Sequence, residues 1–235
     1  MKSTVRKLGF WSGILSAIFS VLWFVTFQMK DAFATVPDWQ NLEAYAEAFR
    51  MVRFTLVYPS LLLAVSYIVL MVCVHRFASE EAKIWSLIAL SIGIIYATMA
   101  SINYNIQAVA VRMSLQAGET AGIEMWIPDN LNGIFNALAN SYVYMAISMI
   151  FAGFVFRGGR LEQWIRGLFL AQVITAVGQI GHTMFDWSMT VFIASSMVWV
   201  IGSPVAFVLL ALLFRRRDRG NADGTASSKK DGRNQ

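Results

Sequence analysis

Residues 190–217 read TVFIASSMVWVIGSPVAFVLLALLFRRR, an uncharged stretch from Thr190 to Phe214 closed by Arg215, Arg216 and Arg217. At ~1.5 Å of rise per helical residue such a stretch exceeds the ~30 Å hydrocarbon core of a bilayer, and the arginines after it resist translocation. Five earlier stretches have the same character: 8–29, 54–74, 84–111, 131–156 and 165–187. The chain is 57% hydrophobic and 14% charged, with a mean hydropathy of +0.56. That composition belongs to a multi-pass membrane protein and not to a soluble domain. The expected fold is an all-α, polytopic bundle of six transmembrane helices spanning residues 1–214, followed by a disordered basic tail at 215–235.

Charge orients the bundle. Lys2, Arg6 and Lys7 precede span 1, Arg76 and Lys83 lie between spans 2 and 3, and Arg157, Arg160 and Arg166 surround the connection between spans 4 and 5; the tail adds more. Only Lys30, Arg50, Arg53 and Arg112 fall on the other side. Basic residues on short loops stay in the cytoplasm, so both termini are expected there. The net charge of +5 is therefore topological and does not imply a nucleic-acid partner; the partner is the lipid bilayer. Ala32-Phe33-Ala34 has the spacing of a signal-peptidase site, but the apolar run before it, with Trp11 and Trp23, is too long for a secretory h-region and reads as a retained anchor. The lone Cys73 excludes an intrachain disulfide and a cysteine-based metal site.

The longest external connection is 30–53. Trp39, Leu42, Ala46 and Phe49 recur at helical spacing opposite Glu43, Glu47 and Arg50, which predicts an amphipathic helix in the outer interface, either a fixed cap on the bundle or a moving lid.

Polar residues inside the spans are the candidate functional groups. Span 4 carries Asn132, Asn136 and Asn140 at four-residue steps, with Tyr144 continuing the row; span 5 carries Gln172, Gln179, His182 and Asp186; span 3 carries Ser101, Tyr104, Asn105 and Arg112. Polar groups facing lipid are costly, so these seams are expected to face one another. Asn103, Asn105, Gln107 and Arg112, Asn132, Asn136 and Asn140, and Gln179, His182 and Asp186 all fall in the outer half of their spans. The expectation is an outward-facing polar pocket between spans 3, 4 and 5, closed beneath, that takes a small polar or weakly acidic molecule on Arg112, Asn105, Asn132, Asn136, Asn140, Gln179, His182 and Asp186. Arg112 and Asp186 are expected to pair, because an unpaired buried charge costs several kcal/mol. The alternative is that the seams only pack helices, in a structural or accessory subunit. A third reading makes His182 and Asp186, four residues apart, a proton relay in an intramembrane enzyme.

Against an enzyme stand several absences. His75 and His182 lie on opposite sides of the membrane, so they cannot share a metal, and no H-E-x-x-H, G-x-S-x-G, Walker or dinucleotide motif occurs. No catalytic residue, metal or cofactor is expected. Gly202-Ser203-Pro204 reads as a kink in span 6, with Ser203 re-satisfying a carbonyl freed by the proline. The halves show no internal symmetry of the kind seen in many secondary transporters.

The order of parts resembles a family of uncharacterised prokaryotic six-helix integral membrane proteins. The resemblance rests on the basic N-terminus before a glycine-rich first span, the helical segment leading through Phe49-Arg50 into span 2, the turn Leu115-Gln116-Ala117-Gly118-Glu119, the polar span 4 and the turn Arg157-Gly158-Gly159-Arg160. It implies a prokaryotic cytoplasmic membrane and transfers no catalytic residue. A reporter active only in the cytoplasm should give signal when fused after Gln235 and none when inserted at Gly118; signal at Gly118 would overturn the orientation.

Overall fold

The computed structural model describes residues 3–33, 39–49, 51–130 and 132–231. Among them no strand occurs, and six helical segments are long and apolar enough to cross a membrane: Ser3–Gln28, Val57–Phe77, Glu80–Ala117, Ile134–Gly153, Arg160–Phe185 and Met189–Arg216. They match the six expected spans one for one. The helices are α1 (Ser3–Phe33), α2 (Leu42–Ala48), α3 (Val57–Phe77), α4 (Lys83–Ile106), α5 (Arg112–Ala117), α6 (Ile134–Ala139), α7 (Ser141–Gly153), α8 (Arg160–Leu170), α9 (Gln172–Phe185) and α10 (Met189–Asp231).

Three spans are interrupted where the sequence reads as continuous. Span 3 contains a π-helical turn, Gln107–Val111, between α4 and α5. It ends at Gly118, whose φ of 73° is left-handed. There the Gly118 N–H bonds the Leu115 carbonyl and the Glu119 N–H the Ser114 carbonyl, the crossed pair that closes a helix C-terminus. Span 4 breaks at Asn140 and span 5 at Ala171. The turn before α8 is closed by Glu162, whose carboxylate accepts from the Gly158 N–H at 2.9 Å.

Consecutive spans pack as neighbours, and the last returns to the first: α1 on α3, α3 on α4, α4 on α7, α7 on α9, α9 on α10, and α10 on α1. Two glycines permit that closure. A Cβ at Gly9 would lie 2.7 Å from the Phe214 ring, and one at Gly13 would lie 2.9 Å from the Phe207 carbonyl oxygen and 3.1 Å from the Ala211 Cβ. In lipid there is no hydrophobic drive to bring helices together, so close approach at small residues carries the association. Inside, α7 contributes Tyr142, Met145, Ser148 and Met149 to the centre, all buried. Ser203 points there too, donating to the Met149 sulfur at 3.7 Å instead of to a helix carbonyl as expected from its place before Pro204.

Of the segment 30–53, residues 34–38 and Arg50 lie outside the described residues. The amphipathic helix is one short element, α2, with the Asn41 Oδ1 accepting from the Ala44 N–H at 2.9 Å as its N-cap. Its buried residue is Tyr45, which joins Trp39, Phe49 and Phe54 in a run of ring contacts 5.2–6.0 Å between centroids. The backbone of α10 is helical to Asp231, but its apolar sequence ends at Phe214. The tail expected to be disordered, from Arg215, offers no apolar face with which such an extension could pack.

Gly13→Val should lower stability by about 1–3 kcal/mol through the collision with the Phe207 carbonyl. Gly167→Ala, where a Cβ meets nothing within 4 Å, should be neutral or stabilise by up to about 1 kcal/mol because alanine favours a helix interior. Unfolding of the purified protein in detergent measures both.

Candidate functional site

The bundle has a basic end, where Arg6, Arg76, Arg157 and Arg216 lie, and an opposite end closed by the loop from Gly118 to Gly133. That loop is held by side-chain amides donating to backbone carbonyls. Gln107 Nε2 donates to Trp126 at 2.6 Å, and Asn103 Nδ2 donates to Phe135 of α6, just past the loop, at 3.1 Å. Asn130 Nδ2 donates to Glu124 at 3.2 Å, and Asn136 Nδ2 to both Pro128 and Asn130 at 2.9 Å. Ile127 is fully buried beneath them. The Glu124 and Asn130 carbonyls also accept turn bonds from the Ile127 and Gly133 N–H groups, and the side-chain amides add to these to fix the loop on the bundle.

The residues expected to form a pocket are distributed differently. Asn105 and Asn132 are exposed, Asn136 is half-buried and engaged in the loop, and Asn140 is half-buried at the break between α6 and α7. Gln179 is buried, His182 half-buried and Asp186 exposed. Spans 3 and 5 each pack on α7. The expected clamp does not form: Arg112 Nε donates to the Ala108 carbonyl of its own helix at 2.7 Å. Asp186 sits past the end of α9, in a left-handed conformation with φ 53°. The proposed relay is replaced as well. His182 Nδ1 lies 2.7 Å from the Trp187 carbonyl oxygen, and since a carbonyl only accepts, that nitrogen carries the proton. With its ring 4.9 Å from Phe192, His182 secures the turn between spans 5 and 6.

Inside the bundle lies a cluster of aromatic rings drawn from spans 1, 2, 3, 4 and 6. Trp23, Tyr142 and Trp199, from α1, α7 and α10, contact one another at centroid distances of 5.2–5.3 Å. Tyr96 packs on Tyr142, and Tyr67 on Tyr96, each at 5.6 Å. Tyr67 Oη donates to Ser148 Oγ at 2.7 Å, which donates to the Ala89 carbonyl at 2.6 Å, so three helices share one chain of hydrogen bonds. Trp23 Nε1, Trp199 Nε1 and the Tyr96 hydroxyl are buried with no hydrogen-bond partner. Sequence reasoning passed over this cluster because aromatic residues inside a span read as filler. The spacing that marks the inward face of span 3 was present all along: Gly93, Tyr96, Ala100, Asn103 and Gln107 are all buried at three- and four-residue steps.

Among the described residues no three His, Cys, Asp or Glu side chains gather where they could hold a metal ion. Set against known family models, curated proteins and solved structures, the chain has no match.

Asn136→Leu should cost roughly 1–3 kcal/mol, because the Pro128 and Asn130 carbonyls each lose a side-chain donor and Asn130 keeps only the Gly133 N–H, whereas Asn105→Leu should stay within about 0.5 kcal/mol. The losses from Arg112→Gln and Asp186→Asn should add to within about 0.5 kcal/mol in the double variant. Denaturation in detergent reports all of these, and non-additivity would restore the ion pair.

Proposed function

We propose that this protein is a non-catalytic structural or accessory subunit of a prokaryotic cytoplasmic membrane, with its basic end and both termini in the cytoplasm. One observation carries the reading. Asn136, one of the residues expected to line a pocket, together with Asn103, Gln107 and Asn130, donates to backbone carbonyls at the far end of the bundle. A conduit needs polar groups free to exchange with solute through the bilayer, and here the centre is filled with rings. The orientation is supported by the basic residues gathered at one end. Interhelical and helix-to-loop amide bonds of this kind contribute about 0.6–2 kcal/mol each, enough to fix one arrangement of helices.

A second reading, recognition of a small polar or weakly acidic molecule at the far end, is favoured by two observations. Arg112 is half-buried, and its one hydrogen bond among the described residues engages Nε, leaving both terminal nitrogens to receive a carboxylate. The partnerless Trp23, Trp199 and Tyr96 groups add donors nearer the centre. Reconstituted vesicles separate the readings. The structural subunit should pass small carboxylates, amides and monovalent ions no faster than empty vesicles, and a panel of small carboxylates should leave its apparent Tm unmoved. A rise in Tm with a carboxylate that is lost in Arg112→Gln would establish recognition, because a ligand binding only the folded state stabilises it by mass action.

A further inference from the structure

We infer that the cleft between α1 and α10 at the basic end is a binding site for one anionic phospholipid, with the phosphate in the cleft and an acyl chain in an apolar groove farther along the same two helices. The cleft, of about 300 Å³, is lined by Arg6, Lys7, Phe10, Trp11, Phe214 and Arg215. Two of these six, Lys7 and Arg215, supply the positive charge on which the inference rests, and none is a carboxylate. The groove, of about 490 Å³, is lined only by apolar side chains and includes Ala17, Ile18, Val21, Pro204, Val205 and Val208.

Basic residues at a membrane surface are first of all topological signals, so their presence alone assigns nothing. The geometry adds two things that topology does not require. First, one of the cations, Arg215, rests on an aromatic ring. Gly9 has no side chain and so admits the Phe214 ring against α1; the next residue, Arg215, then lies with its guanidinium carbon 5.9 Å from the centre of the Phe10 ring. A cation resting on an aromatic face keeps its N–H edge free for an acceptor in the plane of the guanidinium, the geometry that suits a phosphate. Trp11, 60% exposed beside it, has the amphipathic ring that settles at headgroup depth.

Second, the two sites are spaced as the two ends of one lipid. From Phe10 to Ala17 and Val21 is about 10–17 Å at ~1.5 Å per residue, comparable with the ~15 Å that one leaflet contributes to the hydrocarbon core. Pro204 stands at the groove among apolar side chains. A free phosphate would use the cleft and ignore the groove; a zwitterionic lipid would use the groove and gain little from Lys7 and Arg215. Only an anionic phospholipid matches both.

The test uses the full chain purified in a neutral detergent, with phosphatidylglycerol, phosphatidylcholine or inorganic phosphate added and bound lipid counted by native mass spectrometry. Each basic charge near an anionic surface is worth about a fivefold gain in affinity. Phosphatidylglycerol should be retained at one per protein, and Lys7→Gln with Arg215→Gln should weaken it about 25-fold. Val205→Phe, which fills the groove from an exposed position without altering charge, should weaken phosphatidylglycerol at least fivefold while the far-ultraviolet spectrum stays unchanged. Inorganic phosphate at millimolar concentration should not displace the lipid. Equal retention of phosphatidylcholine, indifference to the charge variant or to Val205→Phe, or displacement by phosphate would each overturn the site.

Discussion

The close approach of the first helix to the last, at Gly9 and Gly13, is the contact on which the other arrangements depend. It closes a series of six antiparallel spans into a bundle with an interior. Only because α1 lies against α10 can Trp23 reach Trp199, and only from that position does Ser16 donate to Ser66 on α3 at 3.1 Å. Neither glycine tolerates a side chain, because the atoms that a Cβ would meet are an aromatic ring and a backbone carbonyl. In water the burial of apolar surface would hold two such helices together; in lipid, where the surroundings are equally apolar, contact distance decides.

The same solvent governs the polar groups. Hydrocarbon offers no donor to a stray carbonyl, so a loop folded against the bundle must be satisfied by the protein itself. The amides of Asn103, Gln107, Asn130 and Asn136 do this, and their shared direction, side-chain nitrogen to backbone oxygen, makes the far end of the bundle one connected assembly. The hydroxyls behave alike at lower depth, through Tyr67 and Ser148 to Ala89. What the seams have in common is that they fasten segments to one another.

The number and limits of the spans were legible because a membrane imposes a length, and length survives local irregularity. The phase of each helix was not. The polar pattern of span 3 points Asn105 inward, yet it stands about 200° round the helix from Asn103 at 100° per residue, and Asn103 and Gln107 are the buried pair. In span 4 the row of asparagines continues on paper to Tyr144; the break at Asn140 turns the helix so that Tyr142 and Met145 face inward and Tyr144 faces out. In span 5, His182 and Asp186 have the i, i+4 spacing of neighbours on a helix, but α9 stops at Phe185 and the next residue leaves the helical path. A π-turn and two mid-span breaks each rotate everything after them, and none has a proline to announce it.

Closure by the first and last helices also sets an order of events during synthesis. On the order of 160 residues separate the two partners, so at ~5–20 residues per second α1 waits roughly 8–30 s in the membrane before α10 is made. Through that interval its face of small residues, from Gly9 and Gly13 to Ser16 and Ala17, is covered by lipid or by whatever else is in the bilayer. A ribosome that halts before Met189 leaves five inserted spans with the ring cluster incomplete, since Tyr142 and Trp23 then lack Trp199. The half-made chain and the finished one differ less in how much of them is helical than in whether the earliest-made surface has met its partner.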